Sequence, residues 1–227
     1  MRPDRVMVKT RLVVQNFDDG ANICLEAAHL GHVLRLAIKK VLELLYEDAS
    51  DAPPIRSVTL FLEPMDGVAY TKGSDLDDDH KEIHLSTKYI QNVGNRARNE
   101  ILGVVNHEMV HCLQWNGSGT CPSPLIEGIA DWVRLRSGLT PPHWKRGGER
   151  WDEGYQNTAY FLDWLAQGDA GIVRKMNLSM RFDKYDEKTF WKRLAGADVQ
   201  TLWAQYRKEV GLLPFRNPQP THSPKKT

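Results

Sequence analysis

The sequence predicts an α+β fold: a small twisted sheet backed by a long helix, an inner helix beneath it, and a mainly helical C-terminal lobe. Two observations predict it. Three short segments rich in β-branched and aromatic residues fall between residues 58 and 87, and helical periodicity fills most of the chain on either side. With 227 residues, 41% hydrophobic and 26% charged, the chain has the composition of a soluble globular protein long enough for one sizeable core.

The first element is a strand near Thr10 to Val14, followed by a helix over Asn22 to Glu47 with Ile23, Leu30, Val33, Leu34, Ile38, Val41, Leu42 and Leu45 at helical spacing. Pro53 and Pro54 end that region. VTLFLEP (58–64) and GVAYTKG (67–73) then read as strands, and EIHLST (82–87) alternates as a third. Between them Asp75, Asp77, Asp78 and Asp79 suggest a calcium loop, but the sixth position is His80 rather than Gly and the twelfth is Ser86 rather than Glu, so this is a solvated loop. A long helix follows with Asn95 as N-cap, stopped by Asn116 and Gly117. The turn GSGTCP leads into a second helix punctuated by Ser123 as N-cap, Pro124 at the first helical position and Gly138 past its end. After a Pro/Gly-rich basic and aromatic loop (139–154), amphipathic helices are expected near Tyr155 to Ala166, Gly171 to Met180, Glu187 to Leu194 and Val199 to Val210. One domain over 1–213 is expected, with an N-lobe to about residue 116, a C-lobe beyond it, and a disordered tail over 214–227.

Charge excludes some partners. Lys+Arg 30 against Asp+Glu 29 leaves +1, so neither nucleic acid nor an anionic membrane is expected, and the chain is expected to be a monomer. The N-terminal MRPDRVMVKTRLVVQNF lacks the apolar core of a secretory signal, which makes the chain cytoplasmic as it stands, or secreted if a leader has been removed. Three cysteines, Cys24, Cys112 and Cys121, with no CxxC spacing, are read as mostly free thiols.

The chemistry lies in HEMVH, His107 to His111, inside the long helix. Residues four apart project from nearly the same helical face, about 40° off, so both imidazoles can reach one ion. Glu108, rotated by about 100°, sits beside the metal's open position, where it can take a proton from water. Chance alone yields an HExxH in on the order of one or two chains per hundred, so the bare motif is only suggestive. EGIAD, Glu127 to Asp131, on the next helix strengthens it, because a catalytic zinc site needs a third protein ligand and an open fourth position. Glu127 and Asp131 share a helical face, and either acid could serve; the other would accept the second ring N–H of a histidine. A third ligand in the HExxHxxGxxH arrangement is excluded, since Gly117 stands where that histidine would be and Gln114 where the glycine would be.

NHEMVHCLQWNGSG, PLIEGIADWVRLRSGL, PPHWKR and RWDEGYQNTAYFLDWL together resemble the plant basic secretory protein family, also called the peptidase family of plants and bacteria, and look closest to its fungal branch. GVAYTKG and the FW…LW…Y spacing extend the likeness from about Val6 to Leu213. The resemblance implies a zincin-like fold, a Zn2+ site at the HExxH motif and hydrolysis of a peptide or protein substrate. The order HExxH…ExxxD also resembles the thermolysin-like arrangement, which assigns Glu127 to the zinc and Asp131 to a supporting role behind a histidine. Glu127 is also nearer the turn and has the longer side chain. Tyr155, opening a helix after the flexible loop, is a candidate hydroxyl donor to the oxyanion, and Glu82 to Thr87 is the candidate strand edge for substrate backbone. The alternatives are a non-catalytic peptide- or glycan-binding protein on the same fold, and a zinc hydrolase acting on something other than peptides. All seven Trp fall between Trp115 and Trp203 and are read as core, and His143 as a loop residue or a substrate-contacting donor.

Overall fold

A computed structural model describes residues 8–212. Among them the order is β1 (Lys9–Val14), α1 (Asp19–Ala27), α2 (Leu30–Leu45), β2 (Ser57–Glu63), β3 (Ala69–Gly73), β4 (His80–Ser86), α3 (Thr87–Gln91), α4 (Ala97–Leu113), α5 (Ser123–Arg136), α6 (Tyr155–Gly168), α7 (Ile172–Phe182), α8 (Glu187–Ala195) and α9 (Val199–Glu209). The class is α+β, with one mixed four-stranded sheet and a zincin-like arrangement. The tail expected over 214–227 lies outside the described residues.

The sheet order is β1-β2-β4-β3; β1, β2 and β4 run parallel and β3 antiparallel to β4. Alternation sends Val58, Leu60, Leu62, Ile83 and Leu85 to one face, where all are fully buried with the apolar stripe of α2 (Val33, Leu34, Ala37, Val41, Leu45) and with α4. The expectation of an exposed edge at residues 82–87 is not met. β4 is paired on both sides, because the β3 segment folds back along its outer flank, and the edge strands are β1 and β3, of which β3 lies against α4. Alternation alone does not distinguish an interior strand from an edge strand.

The single helix expected over 22–47 is two. Ala28 is extended (φ −155°, ψ 144°) and separates α1 from α2. The two stripes need different partners: α1 packs on α3 and α4, whereas α2 packs on β1, α4 and α7. Asp18 caps α1, accepting from Ala21 N at 2.8 Å and from Thr87 Oγ1 at 2.8 Å, which ties α1 to the α3 segment that periodicity did not reveal. The N-cap of α4 is Arg96 rather than Asn95, since a 3-10 turn over Gly94–Arg96 precedes it, and that of α5 is Pro122 rather than Ser123.

Helix α4 is central: 13 of its 17 residues are buried, so its polar residues need partners inside the protein. Glu100 receives hydrogen bonds from Arg134 Nη2 and Tyr89 Oη, both at 3.0 Å. Gly103 lets Arg134 lie across α4; a Cβ there would come within 2.6 Å of Arg134 Nε. On the other flank of α5, Gly128 admits α6, since a Cβ would meet Thr158 Cγ2 at 2.3 Å. Four of the tryptophans, Trp132, Trp151, Trp191 and Trp203, are buried, which agrees with their reading as core.

Candidate metal centre

Antiparallel packing of α4 on α5 places the rows His111, His107, Gly103, Glu100 and Glu127, Asp131, Arg134 face to face. At one end of this seam Nε2 of His107 lies 3.1 Å from Nε2 of His111 and 3.1 Å from Oε2 of Glu127, which is 3.5 Å from Nε2 of His111. His107, His111 and Glu127 thus offer one ligand atom each within reach of a single ion. The three residues are at most partly exposed, so the donors are held by packing rather than free in solvent.

The outer nitrogens are also engaged. Asp131, 3% exposed, places Oδ1 2.6 Å from His107 Nδ1, close enough for a charge-assisted hydrogen bond. Nε2 of Gln114 lies 2.7 Å from His111 Nδ1, while Oε1 of the same amide is buried without a partner. A half-turn of that amide lets Oε1 accept from Nδ1–H and leaves Nε2 of His111 unprotonated, the tautomer a metal requires. The donor set of two imidazoles and one carboxylate therefore fits a divalent cation such as zinc.

The electrostatics follow from this crowding. Burial pushes the His107 pKa down, but hydrogen bonds to Asp131 and Glu127 outweigh it and raise it to about 9. Burial pushes the Glu127 carboxyl up, while His107 and His111 together hold it down at about 2. The two shifts share the His107–Glu127 contact, but Asp131 is the larger cause at His107, and His111 also acts on Glu127.

Glu108 is buried, close enough to act electrostatically on His107 and Tyr155, and its Oε2 accepts a hydrogen bond from Thr71 Oγ1 on β3 at 2.8 Å. Tyr155 is 58% exposed, with its ring nearly parallel to that of His107 and the centroids 6.3 Å apart. The charge of Glu127, then burial, then Asp131 and Glu108 raise its phenol pKa, which keeps the hydroxyl protonated and available as a donor. It reaches this place through Gly154 (φ 76°) and its own left-handed φ of 47°, a conformation costing a non-glycine residue roughly 1–3 kcal/mol. Thr158 anchors the turn, donating to Trp151 O at 2.7 Å and accepting from Gly154 N at 3.1 Å.

The structure thus gathers His107, Glu108, His111, Glu127, Asp131 and Tyr155 around one centre. His143 is exposed on its loop. Sequence reasoning missed two residues. Gln114 carried a signal, three residues beyond His111 where α4 ends; Thr71 carried only its inward parity on a strand. All three cysteines are free.

Fold and site together define an α+β protein of zincin-like architecture with a His–His–Glu group on consecutive helices. The chain belongs to the family described as peptidase of plants and bacteria, whose sequence model matches residues 16–206. It is a peptidase at that level of description. No curated protein and no solved structure matches the chain.

Proposed function

We propose that the chain is a zinc-dependent peptidase in which His107, His111 and Glu127 hold the metal and Glu108 is the general base. The observation that carries this reading is the spacing of the three donor atoms, 3.1, 3.1 and 3.5 Å. Ligand atoms about 2.0–2.1 Å from a tetrahedral ion lie about 3.3 Å from one another. Zinc bound there supplies Lewis acidity toward a carbonyl and acidifies water.

The chain's own groups perform the rest. Asp131 Oδ1 accepts a hydrogen bond from Nδ1–H of His107 and so fixes its tautomer and ring orientation. Glu108 takes the proton of the attacking water and can deliver it to the leaving amine. Tyr155 donates its hydroxyl to the oxygen on which negative charge develops. An extended peptide adds along β3, the open edge beside α4.

Metal analysis of the purified protein, with hydrolysis of an unstructured protein such as casein followed before and after chelation, tests this proposal. About one zinc per chain and chelator-sensitive cleavage are expected. Glu108→Gln should keep the zinc and lose hydrolysis, since the amide keeps the shape but takes no proton at neutral pH. Activity of that variant within about tenfold of wild type would overturn the mechanism. Zinc binding without cleavage of any peptide would favour a binding protein on this fold.

A further inference from the structure

The residue joining the sheet to the HEMVH helix is Thr71, and two independent features of it converge. Its hydroxyl lies 2.8 Å from Oε2 of Glu108 and 3.0 Å from the main-chain oxygen of Glu108, so the side chain bridges β3 to α4 at the residue proposed as the base. Its main chain faces the other way. Ser86 N donates to Val68 O at 3.0 Å and Ser74 N to His80 O at 2.8 Å, bracketing β3. With the register Tyr70↔His84 and Lys72↔Glu82, these bonds fix the hydrogen-bonded pairs at even-numbered positions of β3. The alternation of an antiparallel ladder then turns the N–H and C=O of Ala69, Thr71 and Gly73 away from β4, toward the open edge.

We infer that Thr71 is a positioning residue that couples the peptide-pairing edge of β3 to the general base. Its main chain pairs with the backbone of an extended substrate while its hydroxyl holds the Glu108 carboxylate. The inference rests on the zinc-peptidase reading above. A glutamate side chain has three rotatable bonds, and Glu108 must present a particular oxygen to the attacking water. A hydrogen bond to an ionised acceptor is short and directional, so it restricts those rotations and leaves Oε1 as the oxygen facing the reaction. Because the same residue belongs to the edge, the distance between the bound backbone and the base is set by one residue's geometry.

The test compares Thr71→Val and Thr71→Ser with wild type, all zinc-loaded, on one unstructured peptide substrate. Valine keeps the shape and the main-chain donors and removes the hydroxyl. Thr71→Val should therefore lower kcat by roughly ten- to a hundred-fold, the range for a hydrogen bond to a charged group, with KM and zinc affinity within about threefold of wild type. Thr71→Ser, which restores the hydroxyl, should recover most of kcat. A crystal structure of Thr71→Val should show the Glu108 carboxylate displaced from its place beside residue 71, a readout independent of turnover. An undiminished kcat in Thr71→Val, a loss expressed in KM or zinc affinity instead, or a serine variant as slow as the valine one would each overturn the inference while the zinc-peptidase reading stood. Wild-type protein that neither binds zinc nor cleaves peptide would overturn that reading first, and the inference with it.

Discussion

Replacing Gly128 by alanine separates two effects that oppose each other. Helix propensity favours alanine by about 1 kcal/mol in a helix interior. Packing opposes it, because a Cβ at residue 128 would sit 2.3 Å from Thr158 Cγ2 and 2.6 Å from Thr158 Cβ, well inside the ordinary carbon–carbon contact of about 3.5–4.0 Å. Relief requires α6 to retreat by about 1 Å or more, or Thr158 to abandon its bonds to Trp151 O and Gly154 N. Overpacking of this kind costs about 1–3 kcal/mol, which the propensity gain offsets only in part. For a chain of this size each kcal/mol shifts Tm by about 2–4 °C, so a fall of several degrees is expected. Gly168 is the control: open space surrounds its Cβ position, and alanine there should leave Tm unchanged or slightly higher. Thermal unfolding of the two variants by circular dichroism decides the matter. A Gly128→Ala protein as stable as wild type would show that close approach of α6 is not what this glycine provides.

Zinc titration should separate the two acids of EGIAD: Glu127→Ala should nearly abolish tight binding, whereas Asp131→Ala should weaken it about 10- to 100-fold, and the reverse order would reverse their roles. Tyr155→Phe should lower kcat by roughly a hundredfold with zinc affinity unchanged, as for loss of an oxyanion donor; wild-type turnover in a folded variant would remove Tyr155 from the reaction. In the metal-free protein the His107 pKa of about 9 stands above its usual 6.5, so its stabilising contribution is complete below about pH 6.5 and is lost as pH rises through 9. Glu127, lowered from 4.5 to about 2, contributes above about pH 4.5 and loses that contribution as pH falls through 2. Melts of chelator-treated protein should therefore show Tm falling between about pH 6.5 and 9, and Glu127→Gln should flatten that slope; equal slopes in the two proteins would refute the assignment.

Much of the fold was legible because periodicity reports burial directly. The strands at VTLFLEP, GVAYTKG and EIHLST and the last four helices fall where alternation and the 3.6-residue period place them. The errors arose where burial is not one-sided or where pairing is decided at long range. Ala28 breaks a continuous helical pattern because the two halves find different surfaces, a fact of tertiary packing that no local spacing encodes. β4 is interior and β3 lies at an edge because strand order in a sheet is independent of each strand's own alternation. His107, His111, Glu127 and Asp131 were legible as a group because all four lie on helices, where sequence separation converts into angle and rise. Thr71 was not, because its partner is 37 residues away on another element, as the bond to Glu108 records.

Helix α5 is locked along both flanks, by Gly103 and Arg134 toward α4 and by Gly128 and Thr158 toward α6. Fraying of α5 would require breaking the buried Arg134–Glu100 pair together with the Thr158 turn, so the helix carrying Glu127 and Asp131 is expected among the last parts of the molecule to open. The amides of Ile129, Ala130 and Trp132 should then be among the slowest to exchange with solvent deuterium, and metal removal should leave them protected. On the proposed reading, an ion would then dock at a cradle that packing already holds, unlike small domains that acquire structure only when an ion arrives.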